Sequence, residues 1–392
     1  MEGSEPTDLP PDYARGLLGA TGPASAEIAA GSDGRVIEGE ITGLSGLQRS
    51  QDEVLAGRPG VTVEAVPGGE GPVPRLLADF PAVDGETITV TVDREFQTVA
   101  DAVLATTPTP SALVAMEVST GDVLAVANGP PGTNAFNRAM VGRYPPGSVF
   151  KVPSTLALLQ TDLTPDAVVE CPATATVGRA FRNAGGFSLG EVPFRTDFAR
   201  SCNTAFVGRA ESITPADLSL AAGSLGYREL DVGAPVLGGS VPDDTDATEH
   251  AAQVIGQGRV EASPFAVALA SASVARGVSL EPHLVVDPPG SNPSPNLGAD
   301  LPSDEIAELR DLMRLVVTEG TGEALADVPG DPVFGKTGTA EYGTQNPPRT
   351  HAWFTGYQGD IAFAVLVEDG DAGGAVAPPI AAAFLTLLDA GP

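Results

Sequence analysis

Of the 21 cationic side chains in this sequence, only Lys151 and Lys336 are lysines; the rest are arginine. Lys151 lies in "PPGSVFKVPS", three residues after Ser148. On a helix that spacing puts the two side chains on one face. A serine hydroxyl attacks carbonyls only when a neighbouring base takes its proton. A lysine can be that base if burial, a second positive charge or a helix N-terminus keeps its amine neutral. Arginine cannot lose its proton under these conditions, so it could not substitute. Lys336 opens "KTGT", and between the two lysines lies "SCN", Ser201 to Asn203, within "DFARSCNTAFVGRA". A serine made nucleophilic by a lysine base would attack a carbonyl and form a covalent serine ester.

Other stretches carry less. "GFSLG" (186–190) has the spacing of a nucleophile elbow, but a glycine-rich approach replaces the strand that motif needs. "DDTDATEH" lacks the ligand register of a calcium loop and reads as a solvated acidic loop. His351 is expected to be structural, Trp353 to be sheet core, and Cys202 to be a small buried side chain rather than a reactive thiol. Cys171 and Cys202 are the only cysteines. Their spacing fits no zinc site and does not reveal whether they pair. No metal or cofactor is expected.

The elements that must position these residues follow from periodicity. "TITVTV" reads as a strand, Asp93 as the cap of the helix "REFQTVADAVLATT", and "SALVAMEVSTGDVLAVAN" as a hairpin turning at Thr120-Gly121. "SVFKVPSTLALLQ" becomes an apolar helix. Residues 160–300 are expected to be helix and loop, including the proline-rich "DPPGSNPSPN". "DPVFGKTGTAEY", "HAWFTGY" and "DIAFAVLVED" are strands, and "PPIAAAFLTLLDA" is a final helix. The fold class is therefore α+β, an antiparallel sheet with helices on its faces. Residues 1–85 are loop-rich, with a short helix ending at Gly57 and a strand at "GVTVEAV". The expected division is 1–85, a small N-terminal unit, and 86–392, the main domain. The net charge of −30 opposes nucleic-acid and anionic-lipid binding. No apolar run reaches the roughly 20 residues of a bilayer span, and no signal peptide is evident.

With these motifs in this order the chain resembles class B penicillin-binding proteins. "ITVTVDREFQ", "IGQGRVEASPF" (255–265), "HAWFTGY" and the N-terminal "GLSGLQRSQDEVLAG" extend the resemblance over roughly residues 12–388. The resemblance implies a transpeptidase domain on an N-terminal pedestal, without the family's membrane helix. It implies that Ser148 attacks the D-Ala-D-Ala bond of a peptidoglycan stem peptide and that Lys151 takes its proton. By the same carry-over Ser201 relays a proton to the leaving amine, and Asn203 holds substrate and Lys151. Lys336 supplies positive potential, Thr337 and Thr339 hold the substrate carboxylate, and Gly338 leaves room for an extended substrate. The oxyanion would lie on the N–H groups of Ser148 and Thr339. Partners implied are stem peptide, β-lactams and cell-wall synthesis proteins, on the extracytoplasmic side of the membrane. The same fold also accommodates a β-lactamase, a D,D-carboxypeptidase or a non-catalytic β-lactam sensor. "SCN" in place of the S-D-N of class A β-lactamases favours the transpeptidase.

Overall fold

The computed structural model describes residues 9–10, 12–66, 75–132, 136–287, 298–345, 347–370 and 373–391. The proline-rich "DPPGSNPSPN" falls almost entirely outside them.

Five strands form the central sheet: β1 (Ser111–Glu117), β2 (Val123–Gly129), β3 (Val333–Tyr342), β4 (Arg349–Gln358) and β5 (Ile361–Val367). Their order is β3-β4-β5-β1-β2, with every neighbour antiparallel. The helices that matter here are α1 (Arg94–Ala105), α2 (Lys151–Leu159), α3 (Phe194–Ala199), α4 (Asn203–Arg209), α5 (Pro264–Arg276), α6 (Ser303–Thr318) and α7 (Gly373–Ala390). The expected α+β architecture is thus the one observed.

β1, β2 and β5 are apolar at nearly every position because both sheet faces are covered. Leu113, Ala115, Phe354, Phe363 and Val365 pack with Leu104 of α1 and Phe384 of α7. Their alternates Ala112, Val114, Met116, Trp353 and Leu366 pack with α2 and α5. The second face is the larger core, and α5 is buried along almost its whole length there. Asp93 caps α1 as expected, accepting from the N–H groups of Glu95 and Phe96. Gly121 turns the β1–β2 hairpin at φ 84°. The helix α7 is long and apolar enough to cross a bilayer by length and composition, yet its Ala377, Ala381 and Phe384 are buried against the sheet.

Three expectations need adjustment. "TITVTV" supplies only a two-residue strand, Thr89–Val90, paired with Val285–Asp287. Thr91 then turns its hydroxyl to the carbonyls of Val123 and His283. Within 160–300 two short hairpins appear: Val168–Cys171 with Gly190–Pro193, and Thr174–Val177 with Arg179–Arg182. Most of their side chains are exposed or half-buried, so no apolar alternation announced them. The N-terminal helix is split into Gly46–Ser50 and Asp52–Leu55, with Gly57 left-handed behind it at φ 63°. Ala14, Leu17 and Leu47 of this region are buried in the main core, whereas the hairpin Val61–Ala65 with Arg75–Phe80 exposes Val61, Leu76, Leu77 and Phe80.

Candidate active site

Ser148 sits in a 3₁₀ turn, Gly147–Phe150, that runs directly into α2. Lys151 is the first residue of that helix. Pro153 is tolerated because first-turn N–H groups have no intrahelical partner. Gly147 opens the turn at φ 53°, and a Cβ on it would lie 2.6 Å from the carbonyl oxygen of Thr339. Only glycine lets the turn that carries Ser148 press this closely on β3. The turn is tied from two further sides. Gly147 N–H donates to Gly256 O at 2.8 Å, and the Trp353 indole donates to Pro145 O at 3.2 Å. Trp353 is sheet core, as expected, and also anchors this turn.

Ser201 owes its position to the way α3 ends. The N–H groups of Ser201 and Cys202 donate to the carbonyls of Phe198 and Asp197, the paired bonds of a Schellman motif. That motif needs a left-handed residue, usually glycine; here it is Ser201, at φ 59°. A non-glycine residue there costs about 1–2 kcal/mol, so the conformation is sustained by its surroundings. The next helix, α4, starts at once. Asn183 holds that start, its Oδ1 accepting from the N–H groups of Asn203 (2.8 Å) and Thr204 (3.1 Å).

These elements bring Ser201 Oγ between the two lysines. Lys336 Nζ donates to it at 2.9 Å, and Lys151 Nζ lies 3.3 Å away. Lys151 Nζ also donates to Ser201 O at 2.9 Å and Asn203 Oδ1 at 2.7 Å. The Asn203 amide is oriented by its Nδ2, which donates to Arg182 O at 3.0 Å. Both lysines are fully buried. Burial first, and then the neighbouring Lys336, push the Lys151 amine well below the ordinary lysine range, with Asp197 pulling the other way. Burial brings Lys336 down to about 7.

A neutral Lys151 has two N–H bonds, and Ser201 O and Asn203 Oδ1 can only accept. Both hydrogens are therefore committed. The nitrogen lone pair remains for a hydroxyl, which is what a general base requires.

The remaining motif residues lie along β3. Thr337 Oγ1 is 2.5 Å from Thr321 Oγ1, and Thr339 Oγ1 accepts from Gly373 N–H at 2.9 Å. Gly338 differs from expectation in what uses its small size. A Cβ there would meet Val149 Cγ1 and Trp353 Cβ at 3.0 Å and Pro146 O at 3.1 Å. The space is consumed by packing of the strand on the turn that carries Ser148. A cavity of about 540 Å³ is lined by Ser148, Asn203 and Thr339, and also by Arg179, Arg182, Asn183 and Glu341.

Sequence reasoning missed three features. Cys171 and Cys202 form a disulfide, joining the strand Val168–Cys171 to the start of α4. Asn183 clamps that same start. Asp197 is wholly buried near Lys151. The pairing lacked a spacing signal, and nothing marked Asn183 or Asp197 beyond their being polar.

The alternatives fall away. Residues 186–190 lead into the strand Gly190–Pro193 rather than a helix, so the elbow geometry is missing. His351 is buried, stacks on Tyr342 at 4.0 Å between ring centroids, and is held neutral with its pKa lowered by burial to about 4. In the acidic loop, Asp246 caps the helix Ala247–Gln253 and Asp244 pairs with Arg259. Among the described residues the one cluster of metal-ligating types is Cys171, Asp197 and Cys202, and its two sulfurs are bonded to each other.

Comparison with known proteins fits this geometry. Residues 111–386 match the family model of the penicillin binding protein transpeptidase domain. The chain belongs to that family. A penicillin-binding transpeptidase relative, the peptidoglycan D,D-transpeptidase PbpA of Mycolicibacterium smegmatis, is 31% identical over 403 residues, which cover 87% of this chain and 79% of that one. The penicillin G acyl-enzyme complex of penicillin-binding protein A from M. tuberculosis superposes with a TM-score of 0.68 at 28% identity, covering 78% of this chain and 81% of that one. Penicillin-binding protein 2 of Helicobacter pylori, in complex with MreC, shares the fold at TM-score 0.78 and 22% identity, over 97% of this chain and 78% of that one.

Proposed function

We propose that this penicillin-binding protein is a peptidoglycan D,D-transpeptidase that works through an ester on Ser148 and is acylated there by β-lactams. The observation that carries the reading is Lys151. It is a buried amine one helical turn from Ser148, with both of its hydrogens committed to obligate acceptors.

Lys151 takes the Ser148 proton as the oxygen attacks the carbonyl of a D-Ala-D-Ala terminus. The oxyanion lies on the N–H groups of Ser148 and Thr339; losing one such donor costs about 3–4 kcal/mol. Ser201, hydrogen-bonded to Lys336 and next to Lys151, passes a proton to the leaving D-alanine amine. Asn203 orients Lys151 and the substrate amide. Lys336, with the hydroxyls of Thr337 and Thr339, receives the terminal carboxylate. An acceptor amine from a second stem peptide then takes the acyl group. We assign residues 1–85 as the pedestal of a catalytic unit spanning 86–392. The setting we propose is the extracytoplasmic face, with cell-wall synthesis proteins as partners.

A fluorescent penicillin is expected to label the wild-type protein covalently, and Ser148→Ala is expected to lose the label completely. Labelling of the alanine variant would refute Ser148 as the nucleophile. Turnover of a stem-peptide mimic with an acceptor amine, together with a long-lived penicilloyl adduct, separates a transpeptidase from a hydrolase.

A further inference from the structure

Asp197 is a carboxyl group with no exposed surface, and neither of its oxygens has a hydrogen-bond partner. Such a group is costly to bury, and a neutral residue of the same size would pack there. Its place in the fold is specific. Its backbone carbonyl closes the Schellman turn that sets Ser201, and the carbonyl of Ser201 in turn accepts from Lys151 Nζ, so the carboxyl sits on the turn that carries the amine's acceptor.

We propose that Asp197 is a positioning residue for acylation: its carboxylate is the counter-charge for the Lys151 ammonium that forms when Ser148 gives up its proton. This rests on Ser148 being the nucleophile. The proton moves from Ser148 Oγ to Lys151 Nζ, the serine oxygen's electron pair goes to the carbonyl carbon, and Asp197 exchanges nothing. Without it, a full positive charge would appear in a buried site beside Lys336. It would be supported by the neutral acceptors Ser201 O and Asn203 Oδ1 and the face of the Phe206 ring, 5.1 Å away, but by no counter-charge among the described residues.

The surroundings isolate this pair. Arg195 of α3 turns to Asp166, and Arg209 of α4 to Asp162. Glu170 and Glu191 on the flanking hairpin are exposed. On α6, Arg310 and Arg314 bond backbone carbonyls, while Asp304, Glu305 and Asp311 act on Glu308. The disulfide beside Asp197 does not titrate. Lys151 is the titrating group left acting on it.

Burial raises the Asp197 pKa to about 7. As pH rises through that value the carboxylate forms, Lys151 becomes a stronger base, and acylation speeds up. Lys336 titrates in the same range. Losing its proton removes positive potential for a substrate carboxylate, but it also lifts the charge that depresses Lys151 and so makes that amine a stronger base. The part of a rising limb near neutrality that disappears in Asp197→Asn is the part that belongs to Asp197.

The test is the rate of acylation by a fluorescent penicillin from pH 5.5 to 9 in wild type and Asp197→Asn. The variant is expected to acylate about tenfold more slowly at pH 8, to lose the rise near pH 7, and to keep or gain thermal stability. An unchanged rate and profile, or a uniform loss that keeps the rise, would overturn the assignment. If Asp197→Asn does not fold, Asp197→Ser is read by the same criteria. Absence of labelling in the wild type would count instead against Ser148 as nucleophile.

Discussion

Lys151→Arg is expected to lower acylation of Ser148 by a fluorescent penicillin about a thousandfold, within the range that loss of a general base produces, while the positive charge at the site is kept. The native amine has its pKa pushed down, towards the neutral form that a general base needs. Burial and Lys336 depress its pKa, and Ser201 O and Asn203 Oδ1 take its two hydrogens. A guanidinium stays protonated and has no acceptor atom. It fills the same space with donors and leaves the Ser148 proton without a destination. Lys151→Met serves as the companion: it has similar length, no charge and no polar group to satisfy, so it is expected to fold and to be equally inert. Acylation of either variant within tenfold of wild type would remove Lys151 from the role of base.

The legibility of this site in the sequence follows from how local each relation is. Ser148 and Lys151 are three residues apart on one helical run, so their proximity is a property of helix geometry. Lys336 was conspicuous because arginine serves everywhere else. β1, β2 and β5 declared themselves by apolar stretches, whereas β3 and β4 are mixed, carrying "KTGT" and "RTH" among their apolar residues. What stayed hidden depends on contacts between distant segments. Asn183 lies 20 residues before Asn203, in a glycine-rich stretch whose path no periodicity describes. Asp197 looks like any first-turn helix carboxylate until burial is known. Gly338 was legible as a position that needs no side chain, but the sequence alone does not say which neighbour takes the space. Ser201 carries a conformation that glycine normally supplies, visible only through its φ angle.

The largest stability effect is expected from the disulfide. Cys171 and Cys202 are 31 residues apart, and closing a loop of that length restricts the unfolded chain by about 3–4 kcal/mol. Cys171→Ser with Cys202→Ser should therefore lose about that much in denaturant unfolding. Acylation should suffer far less, remaining within about tenfold of wild type. The start of α4 has supports that do not involve the cross-link: Asn183 Oδ1 holds the N–H groups of Asn203 and Thr204. Cys202 Sγ also accepts from Ala205 N–H at 3.3 Å, a capping bond that a serine hydroxyl reproduces. Asn203 would then still present its Oδ1 to Lys151. If the double variant instead loses acylation as severely as Lys151→Arg while remaining folded, the cross-link aligns the catalytic groups, and the polar clamp of Asn183 is insufficient alone. Asn183→Ala in the disulfide-bonded protein gives the reciprocal measurement. A large loss there with a small loss in the serine pair would place the alignment of Ser201 and Asn203 in the amide and leave the disulfide a role in stability.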